Sequence, residues 1–129
     1  PKDQRKALPY LAPAAGRGNS VAQRYLGMMY HRGNGVVQDF PTSFDWYYLA
    51  AEQGDVLAQY SLGSAYSVGR GVPKNNLLAH MWFNISASQG YEEGSIARDE
   101  VVAKKMTPED ISKAQQLARE CVAKNYKGC

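Results

Sequence analysis

The residues of this chain that could do chemistry are two histidines, two cysteines, and a scatter of serines and carboxylates. Nucleophilic catalysis needs a hydroxyl or thiol with a base in reach, and that base held by a third group. Ser64 and Ser67 share a helix face, yet no histidine lies near them in sequence to activate them. Neither His31 nor His80 has a carboxylate, cysteine or second histidine at metal-ligand or triad spacing. Gly33-x-Gly35 and Gly69-x-Gly71 follow helical patterns rather than strands, and they lack the third glycine and the Lys-Ser/Thr of a phosphate loop. Glu92, Glu93, Asp99 and Glu100 read as a solvated face. Asn84-Ile85-Ser86 matches a glycosylation acceptor but falls inside a predicted helix. The expectation is a chain with no catalytic set, no cofactor site and no metal site.

Cys121 and Cys129 are the only cysteines, and they form no CxxC or Cys/His cluster. One reading is two free thiols in a cytoplasmic protein. The other is a local disulfide between the end of the last helix and the chain terminus. Two cysteines this close in an otherwise cysteine-free chain favour the disulfide, and with it an oxidising compartment, periplasmic or extracellular. A signal peptide removed upstream of Pro1 is compatible with a chain that does not begin with Met.

Charge narrows the partners. The 15 basic and 12 acidic residues leave a net +3, scattered along the chain with no basic tract. Nucleic-acid binding usually concentrates its lysines and arginines in a stripe, so it is not expected. No apolar run approaches the roughly 20 residues of a membrane span.

The strongest signal is a repeat. Ala22-Gln23, Leu26-Gly27, Tyr30, Gly33, Gly35-Val36, Trp46, Ala51 and Gln53-Gly54 all recur 36 residues later, giving 12 identities over the 33 positions from 22 to 54. A fixed period of this length marks a stack of units, each burying its apolar face against the next. Every unit reads as two helices. Ala22, Leu26, Met29 and Tyr30 fall on one helical face, with Ser20 ahead of them as the N-cap. Gly33 and Gly35 stop that helix, Asp39 caps the second with Pro41 in its first turn, and Gly54 ends it. The next copy predicts helices over about 56–68 and 76–89.

Aligned backwards, the period places half a unit at 1–18, with Asp3 matching Asp39 and Tyr10 matching Trp46. Pro9 and Pro13 predict a kinked or frayed segment there. After Gly90 the period fades. Residues 93–105 suit a helix with Ile96, Val101 and Val102 apolar. Thr107, Pro108 and Asp110 then give a strong start to a last helix, whose stripe of Ile111, Ala114, Leu117, Ala118, Cys121 and Val122 runs to about Tyr126.

Gly27 and Gly63 sit in mid-helix, where glycine costs about 1 kcal/mol relative to alanine. Its recurrence at one place predicts a close helix-helix approach. Trp46/Trp82 and Tyr30/Tyr66 supply large buried surfaces with polar tips near the edge.

The pattern Ala22-x3-Leu26-Gly27-x2-Tyr30-x2-Gly33-x-Gly35-Val36, then Asp39, Trp46 and Ala50-Ala51-Glu52-Gln53-Gly54-Asp55, resembles the Sel1-like repeat family. Asp3, Lys6, Ala7 and Tyr10 resemble its second helix. Ala97-Arg98-Asp99-Glu100, Met106 to Asp110 and Ala114 to Arg119 are similar to the closing helix of bacterial members. Tetratricopeptide repeats are built alike but run to 34 residues. The resemblance implies an α/α superhelix whose first helices line a concave surface, and adaptor roles in signalling, envelope and host-interaction complexes. Cys121 and Cys129 also resemble the cysteine-rich branch of the family, which bridges cysteines eight positions apart across a helix-helix turn in every repeat. Here the corresponding places in the earlier repeat, about Ala51 and Gln59, carry no cysteine. That branch implies an alternative, weak β-lactam binding or hydrolysis.

Taken at 100° per residue, Arg24, Met28 and His31 point away from the apolar face of their helix. Tyr60, Ser64 and Ser67 are their counterparts one repeat on. These positions differ between copies while the frame stays constant, as a binding surface on a fixed scaffold should. The sequence therefore predicts an all-α, α/α superhelical solenoid in a single domain, 1–129, with a half repeat at 1–18, repeats at 20–54 and 56–90, and a degenerate repeat with a C-terminal cap at 91–129. It predicts a non-enzymatic protein-protein interaction scaffold holding a protein or peptide partner on its concave face. A spacer within a longer array is the remaining alternative.

Overall fold

The computed structural model describes residues 6–129. Asp3, and with it the start of the half repeat, lies outside the described residues. Seven α-helices follow one another among these residues, with no strand: α1 (Leu8–Gly16), α2 (Ser20–Arg32), α3 (Phe40–Ala51), α4 (Val56–Val68), α5 (Asn76–Ser88), α6 (Glu92–Ile96) and α7 (Pro108–Ala123). Each of α1 to α5 packs on its neighbour in sequence, and α7 closes the stack on α5. This is the all-helical solenoid that the period implies.

The caps repeat as strictly as the core. Asp39 and Thr107 cap α3 and α7 as expected, accepting from the Thr42 and Asp110 amides. Ahead of α2 the cap is Asn19, not Ser20: its Oδ1 accepts from the Ala22 amide at 2.9 Å, and Ser20 is the first helical residue. Either side chain is competent. Gly33 and Gly69 end α2 and α4 in the left-handed conformation, which costs glycine nothing. α1 is a continuous helix rather than a frayed one. Pro9 occupies its first turn, where a missing N–H costs no bond, and Pro13 lies inside it. Its buried Ala15 packs with Ala22, Leu26 and Met29 of α2.

The mid-helix glycines mark the closest approaches. A Cβ on Gly27 would sit 2.8 Å from the Tyr47 ring, and one on Gly63 would sit 2.5 Å from the Phe83 ring. Tyr47 and Phe83 are themselves 36 residues apart. One glycine and one aromatic ring therefore interlock in each unit. Trp82 is fully buried with its Nε1 lacking a hydrogen-bond partner among the described residues, so its polar tip is not at the edge as expected. Trp46 is half-buried.

The third unit departs from a regular helix. Residues 97–102 widen into a π-helical turn and 103–105 tighten into a 3-10 turn. Arg98, at the start of the wide turn, reaches Asn84 on α5. Val102 is buried beside Ala79 and Phe83. Ile96 and Val101, expected to share that face, are 52% and 45% exposed. On α7, Ala114, Ala118 and Cys121 are buried and Val122 is exposed. This helix stops at Ala123, short of Tyr126, which turns back with positive φ and lays its ring against Gly54.

Cys121 and Cys129 are joined by a disulfide, with Cα atoms 5.7 Å apart. The bridge ties the tail to the buried face of α7. Beside it, the Gly128 amide donates to Glu52 at 2.9 Å. The tail is thus fixed across the α3–α4 turn.

Candidate partner-binding groove

A groove runs between α2 and α4 over the α3 helix behind them. Its deeper part, a cavity of about 240 Å³, is lined by His31 and Met28 of α2, Phe40, Phe44 and Tyr47 of α3, and Ser64 of α4, among others. A shallower part continues to Arg24, Leu57, Tyr60 and Tyr91. Met28, Arg32, Tyr47 and Ser61 line both parts and make them one channel.

Its walls are the same face of successive copies. Met28 and Ser64, Arg24 and Tyr60, and Arg32 and Val68 are pairs 36 residues apart, and both members of each pair line the groove. No pair is identical. The invariant residues lie behind them as frame, so the groove is the surface where copies are free to differ.

Five of the six residues picked from the sequence lie here: Arg24, Met28, His31, Tyr60 and Ser64. Ser67 does not; it is 8% exposed and lines neither part. The helical wheel placed Ser67 where it placed His31, one repeat earlier. There a short hydroxymethyl stays below the rim and an imidazole reaches over it.

Several groove residues also serve the frame. Asp55 caps α4 with one carboxylate oxygen, accepting from the Ala58 amide, and holds Arg24 with the other at 3.1 Å. Arg24 is therefore a brace between repeats and not a free cation. Tyr60 packs against Phe83 and Tyr91, with ring centroids 5.3 and 5.2 Å away. His31 stands edge-on to Phe40 at 5.3 Å, and the Arg70 guanidinium lies over the same ring at 5.5 Å. Burial, then the charges of Arg70 and Arg32, lower the His31 pKa from 6.5. Burial raises the Tyr47 phenol.

The helical wheel missed the floor. The non-repeating outward positions lie on first helices, whereas Phe40, Phe44 and Tyr47 come from a second helix. Their spacing, i, i+4 and i+7, was the available signal. Arg32, Ser61 and Arg70 were missed too.

Folding brings His31 and Ser64 to one cavity, although they are 33 residues apart in sequence. No carboxylate lines that cavity to orient the imidazole, and the nearby charges are arginines. Among the described residues, no three His, Cys, Asp or Glu side chains gather where they could hold a metal. Among the described residues, no helix is long and apolar enough to cross a membrane.

The repeat also matches known proteins. A profile of the Sel1 repeat fits residues 1–19, 20–55 and 56–91. The chain belongs to the Sel1 repeat family. Its fold is similar to that of a protective antigen present in uropathogenic Escherichia coli strains and displaying an SLR fold, with a TM-score of 0.87 and 28% identity. That alignment covers 95% of this chain and 27% of the antigen, so the chain spans about a quarter of that protein. A Sel1 repeat protein from Oxalobacter formigenes is 41% identical, with a TM-score of 0.71 over 73% of this chain and 71% of that one. No curated protein matches the sequence significantly. Sel1 repeats are commonly protein-interaction scaffolds.

Proposed function

We propose that this Sel1 repeat chain is a non-enzymatic interaction module that holds a segment of a partner protein in the groove between α2 and α4. The observation that carries this reading is the make-up of the groove. Wall residues related by the period differ at every pair, and none of the 12 positions that repeat identically lines the groove. Solenoids bind along such surfaces because successive units present one face in register. The floor supplies aromatic area and the rim supplies charge, the division found in peptide-binding grooves.

The disulfide supports residence in an oxidising compartment, periplasmic or extracellular, since cytosolic thiols are kept reduced. The similarity to a protective antigen agrees with an exported chain.

The test is site-specific photo-crosslinking in cells of the source organism. A crosslinking amino acid replaces Met28, Ser61 or Ser64 in turn, and Gln116 on the exposed face of α7 serves as control. The same partner adduct should form from the three groove positions and not from Gln116. Adducts of equal yield from all four sites, or from Gln116 alone, would place binding elsewhere.

A further inference from the structure

The groove's charge is one-sided. Arg32 and Arg70 are exposed at its rim, and neither makes an ion pair or a side-chain hydrogen bond among the described residues. Arg70 is instead held over the Phe40 ring, and His31 stands edge-on to the same ring. No aspartate or glutamate lines either part of the groove. The acidic residue nearest in function, Asp55, is already taken by Arg24 and by the α4 cap. Beside this rim the cavity offers the apolar side chains of Met28, Phe44 and Ala65 together with the hydroxyls of Ser61 and Ser64.

Two guanidiniums left unpaired beside an aromatic pocket have a definite complement. We infer that the groove takes an acidic peptide segment, with side-chain carboxylates on Arg32 and Arg70 and a large apolar side chain in the cavity beneath. This rests on the groove being the binding surface, and it names the chemistry of the partner. Guanidinium is the cation suited to such a rim, because its planar donor fork matches a carboxylate and is weakly hydrated. The cation-π contact with Phe40 limits how far the Arg70 side chain must be ordered on binding. Approaching carboxylates would push the His31 pKa upward, against the burial and the two arginine charges that lower it.

A single-stranded nucleic acid is the other polyanion to consider, and the geometry favours the peptide. Strand binding uses a cationic strip that tracks a backbone and aromatic faces free to stack on bases. Here the groove's unpaired cations among the described residues are two, both lining one cavity and forming no strip. The rings are engaged with one another, Phe44 with Tyr66 at 5.4 Å and Phe40 with His31.

Fluorescence anisotropy on the intact, oxidised chain tests the assignment, using defined end-blocked probes. These are the peptide Glu-Glu-Phe-Glu-Leu-Glu, its glutamine and lysine counterparts, and oligothymidylate. The acidic peptide should bind at least about tenfold tighter than the glutamine version and weaken as salt is raised. The double variant Arg32→Glu with Arg70→Glu should reverse the order and bind the lysine peptide. Its thermal midpoint should stay within a few degrees of the parent, because both side chains are exposed. Equal binding of the acidic and glutamine peptides would overturn the charge assignment and leave the groove assignment standing. So would tighter binding of oligothymidylate. No binding of any peptide at millimolar concentration would overturn it as well, whatever the crosslinking shows.

Discussion

Gln53 donates its side-chain amide to Gln23 at 2.9 Å, and one period later Gln89 does the same to Gln59. Gln23 and Gln59 in turn donate to the carbonyls of Ala15 and Ala51, the last turns of α1 and α3. Each repeat junction is thus sewn by a pair of glutamines that bond one another and a carbonyl in the last turn of the preceding helix, which the Gly18 or Gly54 amide also bonds. Two of the twelve identities, Gln23/Gln59 and Gln53/Gln89, make this seam. Gln59 is fully buried. Gln59→Ala should cost about 2–4 kcal/mol, because it removes the buried side-chain bonds to Ala51 and Gln89 and opens a cavity. Gln89→Ala, on an exposed donor, should cost about 1 kcal/mol. Urea unfolding of both variants measures the difference, and equal losses would mean that the seam is not where stability resides.

Replacing Gly63 by alanine normally raises helix propensity by about 1 kcal/mol. Here the new methyl would meet the Phe83 ring, which is 2% exposed and cannot retreat. The net effect should be a loss of about 1–3 kcal/mol, the usual cost of overpacking. Adding Phe83→Leu should recover part of it. A double-mutant cycle in thermal unfolding reads the coupling directly, and additive losses would contradict the interlock.

What the sequence made legible was whatever repeats or caps. The 36-residue period, the Asp39 and Thr107 caps, and the cost of Gly27 and Gly63 each carry a physical requirement visible in one dimension. Asn19 against Ser20 was not resolvable, because both can accept a capping bond and the choice depends on how the chain leaves the turn at Gly18. The burial of Ser67 depends on the height of a rim, which a helical wheel does not contain. The groove was half legible. Its walls fall on the non-repeating face of the first helices, but its aromatic floor comes from α3, and Arg70 comes from a turn. The third unit was least legible, since the π-helical turn at 97–102 has no periodic signature.

Reducing the Cys121–Cys129 bridge reopens a short loop, for which chain entropy alone gives a loss of about 2–3 kcal/mol. The tail's contacts should go with it, because the Gly128–Glu52 bond and the Tyr126–Gly54 contact both lie within the bridged segment. Amide exchange at Gly128 should therefore speed up in Cys129→Ser while that of α2 stays unchanged. Mass measurement after alkylation, on non-reduced protein from native cells, should find no free thiol. Two alkylated cysteines would remove the inference of an oxidising compartment.

Both histidines point to one pH dependence. Burial lowers the pKa of His80, with Arg98 adding to it, and burial with Arg70 and Arg32 lowers that of His31. A folded-state pKa below 6.5 means that the unfolded chain binds more protons as pH falls through that value. Stability should therefore be full above about pH 7.5 and decline on acidification until both folded-state sites are protonated. His80 contributes because it is 2% exposed and its Nδ1 has no partner among the described residues. Its repeat counterpart is Phe44. His80→Phe removes the titrating group and restores the aromatic of the earlier copy, so the thermal midpoint should depend less on pH between about 8 and 5. Arg70→Ala should act on the other site alone and raise the His31 pKa, read from its imidazole proton shifts, by removing a neighbouring positive charge. A pH profile unchanged between about 8 and 5 in His80→Phe would assign the acid sensitivity to His31, because the Asp99 carboxylate, held below its usual range by Arg98, keeps its charge and its ion pair throughout that window.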